Sequence, residues 1–121
     1  MRAAATTQDG HLMIGRLWHG WTKPENSDGY EEFVRTEILP RLYRIPGYKG
    51  AYFLRREGQD ETEFVTLTFF ENMQAVRRFA GDDYEAAVVP PEARKLLSRF
   101  DQKSRHYEMI SSPEWFDQPL W

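Results

Sequence analysis

The segment Thr62–Phe70, TEFVTLTFF, constrains this chain more than any other stretch. It is dense in Phe, Val and Thr, the residues that fit a pleated, half-buried surface. Its alternating sets are Val65, Leu67, Phe69 and Phe64, Thr66, Thr68, Phe70. A strand with one wet face alternates apolar with polar, whereas this one carries apolar side chains on both faces. The sheet that contains it therefore needs cover on both sides. A chain of 121 residues supplies one core, burying roughly two-thirds of the unfolded surface.

The remaining elements follow from periodicity. Leu12–Trp21, LMIGRLWHGW, reads as a first strand with Met13, Gly15, Leu17 and His19 on one face. Leu12, Ile14, Arg16 and Trp18 take the other. After the loop TKPENSDG comes a helix whose apolar stripe is Tyr30, Phe33, Val34 and Ile38. Asp28 and Glu31 have capping-box spacing, and Ser27 is the alternative cap. Pro40 is expected to end or kink this helix. Pro46-Gly47 then turns the chain into strands over Tyr48–Arg56 and Glu63–Glu71, joined by EGQDET.

Asn72 caps a second helix that buries Val76, Phe79 and Ala80, with Gly81 as its C-terminal cap. Asp82-Asp83 open a short helical turn through Ala87, stopped by Pro90-Pro91. Ala93, Leu96, Leu97 and Phe100 form a third amphipathic helical segment. Lys103–Ile110 is the last strand. The order β-α-β-β-α-β is the split βαβ, or ferredoxin-like, antiparallel arrangement of an α+β fold. Its helices cover one face of four strands, so a second copy of the sheet is the expected cover for the other. The chain reads as one domain over 1–121, with a loose tail at 1–10 and an aromatic tail at 111–121. Trp115, Phe116 and Trp121 are expected to pack on a partner or a barrel rim.

Composition removes several function classes. Sixteen basic residues against nineteen acidic give a net charge of −3, without the basic excess of a nucleic-acid binder. With no cysteine, disulfides, thiolate nucleophiles and cysteine-held metals are excluded. Apolar runs are too short to span a membrane, and the N-terminus lacks a signal-type apolar region. A cytoplasmic protein is the expectation. No glycine-rich phosphate loop, GxSxG elbow or HExxH motif is present.

Among candidate groups, His19 ends the first strand and His106 lies in the last, its antiparallel neighbour. On one face the two imidazoles could serve as general base and electrostatic partner, since their ordinary pKa lies near neutrality. The alternative is that each fills a polar hole. Glu108 could join His106, but no third ligand accompanies them, and no metal is expected. Trp18, Tyr52, Phe64, Phe70 and Tyr107 could line a cavity for a flat ligand, with core or interface packing as the alternative. Arg55-Arg56 and Arg77-Arg78 read as solvated charges.

The ordered pieces Leu17-Trp18-His19-Gly20, Tyr30, Pro46-Gly47, Leu54-Arg55-Arg56, Phe69-Phe70-Glu71-Asn72-Met73, Phe79-Ala80-Gly81-Asp82 and His106-Tyr107-Glu108 carry a resemblance. Over roughly residues 12–110 the chain resembles the antibiotic-biosynthesis-monooxygenase group of dimeric α+β barrels. The resemblance implies a homodimer and a cofactor-independent monooxygenase acting on a small aromatic, quinol-like or polyketide-like molecule. His106 or His19 would be the base, and Trp18, Thr66, Phe70 and Tyr52 would shape the pocket. Phe70 stands where the family often has Trp, and Thr66 where its oxygenases have Asn. The histidine ligand of its haem-degrading members falls near Val88, which cannot bind iron. The alternative is a non-catalytic dimeric barrel that binds a hydrophobic small molecule or a protein partner. A cavity between helices and sheet, lined by Phe70 and one sheet histidine, is expected under the catalytic reading.

Overall fold

In the computed structural model, which describes residues 12–111, β3 (Thr62–Phe70) lies between β2 (Tyr48–Glu57) and β1 (Ile14–Thr22). β1 carries two short strands on its other edge, β4 (Leu97–Phe100) and β5 (Arg105–Glu108). Every pairing is antiparallel. Between β1 and β2 run α1 (Ser27–Phe33), a π-helical turn (Val34–Ile38) and α2 (Leu39–Leu42). Between β3 and β4 run α3 (Met73–Ala80) and α4 (Pro91–Leu96). The fold is α+β with the ferredoxin-like order β-α-β-β-α-β. The expected tails, 1–10 and 111–121, lie outside the described residues apart from Ser111.

Register assigns the two faces. Ile14, Arg16, Trp18, Gly20 and Thr22 of β1 stand opposite Phe70, Thr68, Thr66, Phe64 and Thr62 of β3. This set faces the helices. Ile14 and Phe70 pack with Leu42, Ala75 and Val76, while Phe64 packs with Tyr30, Val34 and Ala93. Burial of each phenylalanine contributes roughly 2–3 kcal/mol. On the opposite face lie Leu17, His19 and Trp21 of β1, Val65, Leu67 and Phe69 of β3, and Tyr52 and Leu54 of β2. Cover of this face is uneven in the single chain: Leu54 is 52% exposed, Leu17, Val65 and Leu67 are half-buried, and Phe69 is buried.

Four local expectations need correction. No side chain caps α1. Its N-cap is Asn26, without a side-chain bond, and the expected cap groups have other partners. Ser27 is buried and donates to Thr62 Oγ1 at 2.6 Å. Asp28 and Glu31 accept from Arg55 at 2.9 and 3.0 Å. Nor does Pro40 end the helix. The turn before it widens, with Leu39 N–H donating to Val34 O, which relieves the crowding a proline ring imposes on the carbonyl four residues back.

The segment 82–87 is a turn, closed by Ala86 N–H to Asp83 O at 3.1 Å. Its backbone pairs instead with 102–104, through Ala87 N–H to Gln102 O and Ser104 N–H to Glu85 O. The last correction concerns Leu97 and Phe100, which lie in a strand rather than a helix. A six-residue helix is marginal by its own hydrogen bonds, and the β1 edge at Gly20–Thr22 offers unpaired backbone groups that β4 satisfies. The expected last strand, Lys103–Ile110, is shorter in the structure, β5 spanning Arg105–Glu108.

Candidate functional site

The middle of β3 explains why a cavity exists. On the helix-facing side, Thr66 and Thr68 are short, while Phe64 and Phe70 on either side are large. Directly across on β1 stand Trp18 and Arg16. The dip is roofed by Tyr30, Val34 and Ile38, leaving a mainly apolar cavity of about 70 Å³ between helices and sheet. One buried water needs about 10–15 Å³ on this kind of measure, so the space holds several water-sized groups. Val88, 45% exposed, forms part of the wall and brings the cavity to the surface. Ser104 is a further polar group in the lining.

Arg16 is the one charged residue among the described lining, and it is 4% exposed. Its Nη1 donates to Tyr84 O at 2.5 Å and its Nη2 to Ala86 O at 3.1 Å. The guanidinium also sits over the Phe79 ring, 5.4 Å from the centroid. No carboxylate of the described residues forms an ion pair with it. Burial pulls its pKa down to about 10, so it stays protonated at neutral pH. The 84–86 turn thus serves as a clamp, and its pairing with 102–104 holds the clamp in place.

His106 lies opposite Arg16 on β5, with Nε2 3.0 Å from Arg16 Nη1. An arginine can only donate, so Nε2 must accept and the imidazole proton sits on Nδ1. Burial, then the Arg16 charge, pulls the His106 pKa below its ordinary value, while Glu85 opposes them. The Tyr84 ring meets the imidazole edge-to-face at 5.3 Å. The lone pair a base would use is already engaged by Arg16. In this arrangement His106 Nε2 is held by Arg16 rather than directed at the cavity, whose described lining does not include it.

His19 does not share a sheet face with His106. It alternates with Arg16 and Trp18 along β1 and faces away from the helices. Its Nδ1 lies 2.7 Å from Asp101 Oδ2, its backbone N–H donates to the same oxygen at 3.1 Å, and its ring stacks on Trp21. Both histidines border an open groove at the sheet edge, reached from opposite faces, so the expected pair on one face is not formed. The reason is parity: His106 is in register with Arg16, three residues before His19.

Of the other expected pocket residues, Trp18 and Thr66 border the cavity. The Trp18 indole N–H donates to Asp101 O at 2.9 Å. Phe70 is outside the described lining. It is fully buried between Tyr48 and Phe79, with ring centroids 5.9 Å away in each case. Tyr52 lies on the opposite sheet face, in register with Leu67 and edge-to-face with Phe69 at 5.9 Å. The group missed by sequence reasoning is Arg16. Its signal was present: a charge on the covered alternation of β1, between Ile14 and Trp18. Among the described residues no cluster of three or more His, Asp or Glu could hold a metal.

The sequence matches no protein-family profile and no curated protein. The structure, however, matches those of antibiotic biosynthesis monooxygenases over most of the chain. A Bacillus cereus protein named for that group aligns with TM-score 0.57 and 15% identity, covering 84% of this chain and 97% of its own. A conserved protein of Methanosarcina mazei Go1 aligns with TM-score 0.62 and 13% identity, over 81% of this chain and 93% of its own. The ActVA-Orf6 monooxygenase of Streptomyces coelicolor, in complex with nanaomycin D, aligns with TM-score 0.50 and 16% identity, over 85% and 89%. At these identities the shared property is the fold.

Proposed function

From a fold shared with antibiotic biosynthesis monooxygenases, we propose that this chain binds a small aromatic or quinol-like molecule in the helix–sheet cavity and oxidises it with dioxygen. The observation that carries the reading is the cavity itself. An apolar space roofed by Tyr30 and Val34, floored by Trp18 and Thr66 and edged by few polar groups, fits a flat apolar ligand. Support comes also from the Streptomyces coelicolor relative, which holds nanaomycin D on the same fold.

The chemistry places modest demands on the protein. An activated CH₂ flanked by aromatic or carbonyl groups loses a proton and supplies electrons to dioxygen. One oxygen atom stays on that carbon as a carbonyl; the other leaves as water with the two hydrogens. No external reductant enters the balance. The chain's part is to exclude water, hold the ring against Trp18 and stabilise the carbanion. His19, on the other sheet face, has no access to this cavity, and His106 acts through Arg16.

The protein acts as a homodimer in this proposal, with Leu17, Leu67, Phe69 and Leu54 covered by the same face of a second copy. Leu17 and Leu67 are half-buried and Leu54 is 52% exposed, an apolar strip that a twofold copy of the same sheet would cover. The second reading, a binding barrel without catalysis, is favoured by one fact: the described lining contains no carboxylate or imidazole. Oxygen-electrode assays over anthrones and quinols decide between them. Uptake above the spontaneous rate, lost on Trp18→Ala, is the expected result. Ligand binding without uptake across the panel would refute catalysis and leave the binding barrel.

A further inference from the structure

The buried Arg16 guanidinium in the cavity wall has no anion paired with it among the described residues. Arginine has five N–H donors. Tyr84 O, Ala86 O and His106 Nε2 take three of them, all on the Nη atoms. Two remain without a described partner, one on Nε and one on Nη2. These are adjacent nitrogens, the arrangement that receives two oxygens of a planar anion. All three protein acceptors are neutral, so among the described residues no carboxylate pairs with the positive charge.

We propose that the cavity selects an apolar small molecule bearing a delocalised oxyanion, a carboxylate or an ionised phenol or enol, and that Arg16 is the group that reads it. The proposal rests on the cavity being a ligand site and is independent of any reaction with oxygen. Three features support it. The surroundings are mainly apolar and Arg16 itself is 4% exposed, so an ion pair formed there is less screened than one at the surface. The guanidinium is held by two backbone carbonyls and a ring nitrogen, so it is ordered before the ligand arrives. Despite burial it keeps its proton, with a pKa of about 10. Thr66 and Ser104 add hydroxyl groups to a lining otherwise made for a hydrocarbon body.

The test compares benzoate with benzamide, which match in size and shape and differ in charge, by titration calorimetry on the full chain at neutral pH. 4-Nitrophenolate against nitrobenzene forms a second arm and separates carboxylate from phenolate selection. In the wild type the anion binds roughly tenfold or more tightly than its neutral partner. Arg16→Met abolishes that preference while benzamide still binds. Arg16→Lys retains the charge and part of the preference, which keeps the test informative if the methionine variant does not fold. Wild-type preference also fades as pH is raised past about 10. Equal affinity for anion and neutral partner overturns the proposal while leaving the cavity a ligand site. A preference that survives Arg16→Met overturns it as well. Binding of none of the four overturns both. Anion selectivity without oxygen uptake on any substrate sustains it and refutes only the oxygenase.

Discussion

Gly20→Ala tests how the cavity's shape is maintained. Gly20 lies on the helix-facing side of β1, in register with Phe64 on β3 and Phe100 on β4. A Cβ there would stand 2.7 Å from Trp18 Cη2 and 3.0 Å from Leu97 Cδ2, against 3.4–4 Å for ordinary contact. The indole is not free to step aside. Its N–H is tied to Asp101 O at 2.9 Å, and the Phe100 ring centroid is 6.1 Å from its own.

Overpacking of this kind costs about 1–3 kcal/mol. Breaking the indole hydrogen bond adds about 1 kcal/mol. Replacing glycine within a strand returns about 0.5–1 kcal/mol. The net is a destabilisation of about 2 kcal/mol. At about 4 °C per kcal/mol for a chain of this size, the thermal midpoint should fall by roughly 8 °C. Gly15→Ala is the internal control. Its nearest contact would be Leu67 Cδ1 at 3.5 Å, an ordinary distance, so its midpoint should hold or rise slightly. Calorimetric unfolding of both variants, with benzamide titrations alongside, reads the effect. A Gly20→Ala midpoint within about 1 °C of wild type, with unchanged ligand affinity, would refute the close-approach reasoning.

Three further outcomes are expected. Because folded His106 takes its proton below the ordinary value of 6.5, its contribution is intact above that value and lost as pH falls beneath it. His106→Asn retains an acceptor for Arg16 without titrating, so denaturant curves of the variant should show a shallower acid loss; parallel profiles would contradict the assignment. Ser27→Ala should destabilise by about 1–3 kcal/mol, because it removes the shared partner of two buried hydroxyls, Thr22 and Thr62. Urea unfolding with no midpoint change would show that the network contributes nothing. Leu67→Glu puts a charge on the uncovered sheet face and should convert a homodimer to monomer by sedimentation. A wild-type protein that is monomeric at micromolar concentration would instead defeat the dimer proposal.

The covered face of the sheet was largely legible before any coordinates. Phe64 and Phe70 mark the core by alternation, Tyr30 and Val34 by helical spacing, and all four are buried. Asn72 was readable as a cap because its function is local: its Oδ1 accepts from Ala75 N–H three residues on, at 2.9 Å. Gly81, with φ of 87°, was readable for the same reason. Ser27 and Asp28 were misread as caps because their partners, Thr62 and Arg55, are remote in sequence and paired only through the β1–β3–β2 register.

The candidate site divides in the same way. Trp18 and Thr66 were legible as a strand aromatic and a strand hydroxyl, and they meet because one residue of register places them opposite each other. The histidines were placed on the right strands with the wrong parity. Side chains alternate with period two, so a register offset of an odd number of residues moves one of them to the other face. Arg16 stood plainly in the sequence as a charge on an apolar face. That its partners are the carbonyls of Tyr84 and Ala86 and the ring of His106 depended on a turn folded back from residues 68 to 70 positions away. Local chemistry is written along the chain, and so the sequence alone determined most of the elements and the core alternation, whereas β4 and the 82–87 turn were decided by pairing with remote backbone. Register and long-range backbone pairing are collective properties of the folded sheet, and they alone decided which polar groups share the cavity.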